Sequence, residues 1–224
     1  MVIVGGVEEA GRGPVIGPMV MAIVTINEGD EQRFVDLGIK DSKLLSKEKR
    51  KELFEVIKEN VLEYKISVVT PQEIDEALDK TNVDMNLNWL EAKTSGELIN
   101  SVKLDKVIVD CPSNNIEAYR EYVYNLLERN NGMRPEVVAE HKADFKYVVV
   151  GAASILAKVT RDYLIEEIKK EYGVEFGSGY PSDPKTSAFL AKNFEKYPIF
   201  RKSWSSYKRI KAAKDKSQTS LGDY

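Results

Sequence analysis

Gly6-Val7-Glu8-Glu9-Ala10-Gly11-Arg12-Gly13-Pro14-Val15-Ile16-Gly17-Pro18 lies across two β-rich runs, Val2–Val7 and Met19–Ile26, and fills the gap between them with glycine and proline. Two strands joined by a tight turn follow from that composition. The glycines invite comparison with a dinucleotide-binding fingerprint, and the comparison fails. The third glycine is due three places after the second, where Ile16 stands, and a helix should follow, whereas Pro14 and a β-branched run do. No GxxxxGK[ST] phosphate loop occurs in the chain either. Two readings of Gly11–Pro18 stay open: a backbone turn whose amides and Arg12 suit close approach by a phosphate or sugar, or a plain hairpin turn.

Two carboxylates, Glu8 and Glu9, precede that turn, and others sit at comparable places. Asp110 ends a short apolar strand, Lys106–Val109, and Asp144 closes His141-Lys142-Ala143-Asp144 just after a strand at Glu136–Ala139. In an α/β protein such strand ends lie at the rim where ligands bind, although a single acid there is more often merely solvated. Neighbours on a regular strand face opposite sides, so Glu8 and Glu9 share a site only if the backbone bends between them. Were all four to converge, divalent cations would relieve their repulsion, as two-metal phosphodiester hydrolysis requires.

Between these strands the pattern alternates to helix. Ser46–Val61 carries Leu53, Phe54, Ile57 and Val61 at helical spacing, and Thr70-Pro71-Gln72-Glu73 is a capping box with proline at the first helical position. Met85–Val102, Asn115–Glu128, Val148–Tyr172 and Lys185–Lys196 are expected as further helices, with the tail fraying after Lys211. Strands mixed with helices give an α/β class, and no repeat interrupts it.

The 224 residues carry 33 Lys+Arg against 36 Asp+Glu, a formal net charge of −3, with 42% hydrophobic and 31% charged residues. That composition describes a globular chain with a real core. No apolar run approaches the ~20 residues of a membrane helix and no signal peptide is evident, so a cytoplasmic protein without membrane contact is expected. One cysteine, Cys111, and one histidine, His141, exclude a disulfide framework and Cys/His zinc clusters. A metal would have to be held by oxygen, which selects hard cations such as Mg²⁺ or Mn²⁺. Lys192–Lys216 concentrates positive charge in an otherwise acidic chain, as suits phosphates on one side and metal-binding acids on the other, although a solvated helix face would have the same composition.

The quoted stretch closely resembles the signature of the ribonuclease HII family. The likeness continues in order through Lys40-Asp41-Ser42-Lys43, Val109-Asp110, Ala139-Glu140-His141-Lys142-Ala143-Asp144, Ala152–Val159 and Gly177–Pro184. The Glu-His-Lys-Ala-Asp form is similar to the archaeal branch. The resemblance implies a ribonuclease H-like fold, a mixed five-stranded sheet flanked by helices with a helical C-terminal region. It divides the chain into a catalytic domain (1–172), a helical substrate-binding region (173–213) and a flexible tail (214–224).

The implied reaction is hydrolysis of RNA in RNA–DNA hybrids and 5′ to single ribonucleotides in duplex DNA, leaving 3′-OH and 5′-phosphate ends. Glu8, Glu9, Asp110 and Asp144 would hold two Mg²⁺ or Mn²⁺ ions. Gly11, Arg12 and Gly13 would sense the 2′-OH through backbone contacts, and Tyr180 would stack on the sugar at the junction. Lys43, Lys146, Lys158 and Arg161 are candidates for backbone phosphates. His141 is expected to be structural, Cys111 a buried apolar group, and Trp204 and Tyr207 core residues. A sibling family, ribonuclease HIII, is disfavoured because it carries an extra N-terminal domain.

Where the family usually has Asp, this chain has Glu8, so a protein that binds ribonucleotide-containing duplexes with weakened catalysis is the alternative. Gln218, Leu221 and Tyr224 fit the short peptide by which repair enzymes bind a sliding clamp. A monomer is expected otherwise.

Overall fold

A computed structural model describes residues 1–39, 45–129 and 133–219. Five strands, β1 (Ile3–Ala10), β2 (Met19–Asn27), β3 (Glu63–Val69), β4 (Lys106–Asp110) and β5 (Glu136–Glu140), form one sheet in the order β3-β2-β1-β4-β5. β1 runs antiparallel to β2 and parallel to β4, and β4 runs parallel to β5, so the sheet is mixed as the resemblance implies. β2 is buried along nearly its whole length, which explains its apolar run Met19–Val24 in place of an alternating pattern.

The helices are α1 (Glu31–Asp36), α2 (Lys47–Asn60), α3 (Pro71–Ala77), α4 (Leu87–Asn100), α5 (Ile116–Leu126), α6 (Ala143–Lys146), α7 (Val148–Tyr172), α8 (Pro184–Asn193) and α9 (Ser205–Thr219). Their starts are chemical. Ser46, Asn86 and Asn115 each accept a backbone N–H from the first turn of the helix that follows, and Asp183 does so ahead of Pro184. Thr70 and Glu73 make both halves of the capping box before α3. The tail differs from expectation: α9 continues helical to Thr219 because Lys, Ala, Ser and Gln carry the chain on with no Gly or Pro until Gly222.

The described chain falls into two compact units interleaved along the sequence. The first comprises Met1–Ala10, Val20–Val68 and Asn86–Asp162 and holds most of the sheet. The second comprises Gly11–Met19, Val69–Met85 and Tyr163–Tyr224.

In the first unit, α7 lies directly on β1. A Cβ at Gly6 would stand 2.5 Å from backbone atoms of Val149 and Val150, so only glycine permits this approach. In the second unit, Val15 and Ile16 are fully buried with Phe176, Leu190 and Phe200, and Ile16 bridges to Phe200. The Gly11–Pro18 segment, which joins the antiparallel strands β1 and β2, is therefore anchored in a core.

Candidate active site

Three carboxylates meet in the first unit. Val7 pairs with Val109 across the parallel β1–β4 ladder, so Glu8 and Asp110, each one residue further, end up as neighbours. β5 pairs Glu140 with Asp110, and the chain then turns at Lys142, which takes left-handed φ 56°, into α6. The Ala143 amide in that turn donates to Asp110 Oδ1 at 2.6 Å. This bond ties the end of β4 to the start of α6 and sets Asp144, one residue on, beside the other two. Glu8, Asp110 and Asp144 each present a ligand oxygen, all within 4.8 Å of one another.

Glu9 does not join this group of three. The ladder with β2 stays in register through Ala10, and Glu9, next along β1, is half-buried. Glu9 remains close enough for its charge to act on Glu8.

The electrostatics favour a cation. Glu8 is 6% exposed, and burial, then the charges of Glu9, Asp110 and Asp144, push its carboxyl well above the usual carboxylate range; Lys158 opposes them. Glu8 Oε2 is buried with no hydrogen-bond partner among the described residues. An oxygen-only donor set, mutual repulsion and an orphaned buried oxygen fit a hard divalent cation held by Glu8, Asp110 and Asp144.

The surrounding residues fall out unevenly. Lys158 donates to Ser154 Oγ at 2.8 Å and acts electrostatically on Glu8, so it stands near the carboxylates. Lys146 is ion-paired with Glu140, which also accepts from Tyr147 Oη at 2.9 Å, and the two bonds hold the Glu140 carboxyl below its ordinary value. A phosphate would have to displace that pairing. Arg161 is buried at 6% exposure. Lys43 lies outside the described residues, as do Leu221 and Tyr224, while Gln218 lies in the last turn of α9. His141 Nδ1 lies 2.7 Å from the Cys111 carbonyl and so acts as a tether, and the Cys111 thiol is buried and pushed up by desolvation. Tyr207 is core, as expected.

In the second unit, the glycine turn and Tyr180 come together. Gly11 is buried with φ 82°, Arg12 half-buried and Gly13 exposed. A Cβ on Gly13 would lie 3.3 Å from the Tyr180 ring, which is itself 41% exposed. The Tyr180 loop is fixed by Asp183, which accepts from Ser178 N and Oγ, and Gly179 O accepts the Val15 amide. Arg201 and Trp204 bond the carbonyls of this turn from below. Sequence reasoning missed Arg201, because inside the basic run it looks like one more surface charge.

The family model described as Ribonuclease HII matches residues 5–207. The chain is 41% identical over 227 residues to a ribonuclease HII of Pyrococcus furiosus, covering 99% of this chain and 97% of the relative. Among solved structures it is similar to ribonuclease H2 from Pyrococcus horikoshii OT3, with TM-score 0.84, 40% identity, and 95% and 98% of the two chains covered. It is also similar to a chain in the PCNA:RNase HII complex from Archaeoglobus fulgidus, with TM-score 0.79, 37% identity, and 91% and 96% covered.

Proposed function

The chain belongs to the ribonuclease HII family, and from that premise we propose that it hydrolyses RNA in RNA–DNA hybrids and cuts 5′ to single ribonucleotides in duplex DNA. The observation that carries this reading is the convergence of Glu8, Asp110 and Asp144 around a buried, unpartnered carboxylate oxygen.

In the proposed reaction, water attacks phosphorus on the 5′ side of the ribonucleotide. The P–O3′ bond breaks, the 3′-oxygen leaves and takes a proton, and 3′-OH and 5′-phosphate ends result. Two divalent cations, Mg²⁺ or Mn²⁺, would supply acidity for the attacking water and charge neutralisation for the phosphodiester. Glu8, Asp110 and Asp144 would hold them, with Glu9 contributing from the adjacent position. The Ala143 N–H keeps Asp110 oriented, and the Lys158 ammonium adds positive charge where a phosphate arrives. The backbone of Gly11–Gly13 would recognise the 2′-OH, with Tyr180 against the sugar. Within residues 173–213, the exposed bases Lys208, Arg209 and Lys211 would take duplex phosphates.

Glu8 adds one methylene to the side chain usual at its position, yet its carboxylate still reaches Asp110 and Asp144, which favours catalysis over mere binding. The test is cleavage of a labelled duplex with one ribonucleotide in Mg²⁺, Mn²⁺ or EDTA. Cutting by the parent supports the reading; no cutting by the parent with cutting by Glu8→Asp establishes the binding-only alternative.

The tail is proposed to dock on a sliding clamp through Gln218, Leu221 and Tyr224, a reading supported by the Archaeoglobus fulgidus relative solved with PCNA. Calorimetric titration of the full chain into its clamp should show binding that Leu221→Ala with Tyr224→Ala removes. Equal heats from both proteins contradict it.

A further inference from the structure

Arg201 has no solvent exposure at all, a rare state for an arginine and an expensive one unless its donors are all engaged. Its guanidinium spends those donors on the glycine turn. Nη2 donates to the Gly11 carbonyl at 2.7 Å, Nη1 to the Arg12 carbonyl at 2.9 Å, and Nε to the Gly17 carbonyl at 2.9 Å. Trp204 continues the pattern, with Nε1 donating to the Gly13 carbonyl at 3.0 Å and its ring 4.7 Å from the guanidinium carbon. The pair is itself anchored. The Arg201 amide donates to Val15 O at 2.9 Å, and the Asp75 carboxylate of α3 accepts from Lys202 N, Ser203 N and Ser203 Oγ at 2.6–2.8 Å.

The carbonyl bonds have a stereochemical consequence. In a trans peptide the C=O and the following N–H point in opposite directions, and the described chain has no cis peptide. With the Gly11 and Arg12 carbonyls held on Arg201, the amides of Arg12 and Gly13 are directed away from it, on the exposed side where the Tyr180 ring rests against Gly13. A planar fork with several donors at fixed angles can hold three carbonyls at once, whereas a lysine ammonium offers only a point charge.

We propose that Arg201, assisted by Trp204, is the positioning residue of ribonucleotide recognition, locking the Gly11–Gly13 turn with its carbonyls inward so that its amides stay aimed at a ribose 2′-OH. The assignment rests on the reading of that turn as the 2′-OH sensor. It makes discrimination between RNA and DNA depend on a side chain that never touches the substrate.

The test is fluorescence anisotropy of the full chain, with Ca²⁺ in place of Mg²⁺, on a duplex containing one ribonucleotide and on the same duplex made wholly of DNA. Arg201→Lys should reduce the affinity ratio between the two by about tenfold, the worth of one well-aligned hydrogen bond. Trp204→Phe should reduce it less and in the same direction. Affinity for the all-DNA duplex and calorimetric Mn²⁺ binding should stay at parental values, which a merely destabilised protein would not show.

Folded variants that keep the parental ratio overturn the proposal, as does a loss that falls equally on both duplexes. If Arg201→Lys does not fold, Trp204→Phe decides the matter alone. A parent that binds both duplexes equally removes the reading of the turn itself, and the assignment with it.

Discussion

Glu8 concentrates the conflict between stability and function in one side chain. Its carboxyl is buried among other acids, so its proton is held more tightly in the folded chain than in the unfolded one. The metal-free protein therefore loses stability as pH rises from the ordinary carboxylate range through the raised value, and below that range the penalty is gone. Glu8→Gln should raise the thermal midpoint of the metal-free chain at neutral pH, by about 1 kcal/mol or more in unfolding free energy. The gain should vanish in acid, and calorimetric scans in EDTA at two pH values check both statements. Added Mn²⁺ should stabilise the parent and leave Glu8→Gln nearly unmoved.

Asp110→Asn should lower cleavage by at least ~100-fold, since even groups that merely orient a metal ligand are worth 10–100-fold; initial rates at saturating Mg²⁺ measure it. The acids themselves were legible in the sequence, because each ends a strand or sits in a recognisable block. Which of them converge was not. That depended on the parallel register of β1 with β4, which sets Glu8 beside Asp110, and on the Ala143–Asp110 hydrogen bond between residues 33 apart.

At the scale of elements, local chemistry carried most of what the sequence disclosed. The capping box at Thr70 and the long helical pattern of Val148–Tyr172 each mark a helix with no help from distant contacts. The four-residue α6 escaped notice because so short an element has no period to detect, and its existence rests on Lys142 in a left-handed conformation. The glycine turn was half legible: its composition announced a turn, but its burial depends on Phe200 and Arg201, far along the chain. The close approach of α7 to Gly6 yields a sharp test. Gly6→Ala would drive a methyl into the backbone at Val149 and Val150, so it should destabilise the fold by about 1–3 kcal/mol or more. Urea unfolding followed by circular dichroism reads this directly, and an unchanged midpoint would show that α7 does not sit on β1 as described.

For the whole molecule, the net charge of −3 misleads about its partner. Lys192–Lys216 concentrates positive charge along the sequence, and Lys208, Arg209 and Lys211 on α9 are exposed. Duplex affinity should fall steeply with salt as phosphate counterions are released. Replacing Lys208 and Lys211 together by Gln should weaken binding to ribonucleotide-containing and all-DNA duplexes alike and flatten the salt slope by about 2. A selective effect on one duplex would place these lysines elsewhere than on the phosphates.

The central claim is that Glu8, Asp110 and Asp144 form a metal-dependent centre for cutting at ribonucleotides. Its most direct test is a gel assay of a DNA duplex bearing one ribonucleotide, comparing parent and Asp110→Asn with Mg²⁺, Mn²⁺ or EDTA. The account predicts cutting 5′ to the ribonucleotide by the parent with either metal, none in EDTA, and none above background from Asp110→Asn. Cutting that persists in EDTA, or in Asp110→Asn at the parental rate, would contradict it.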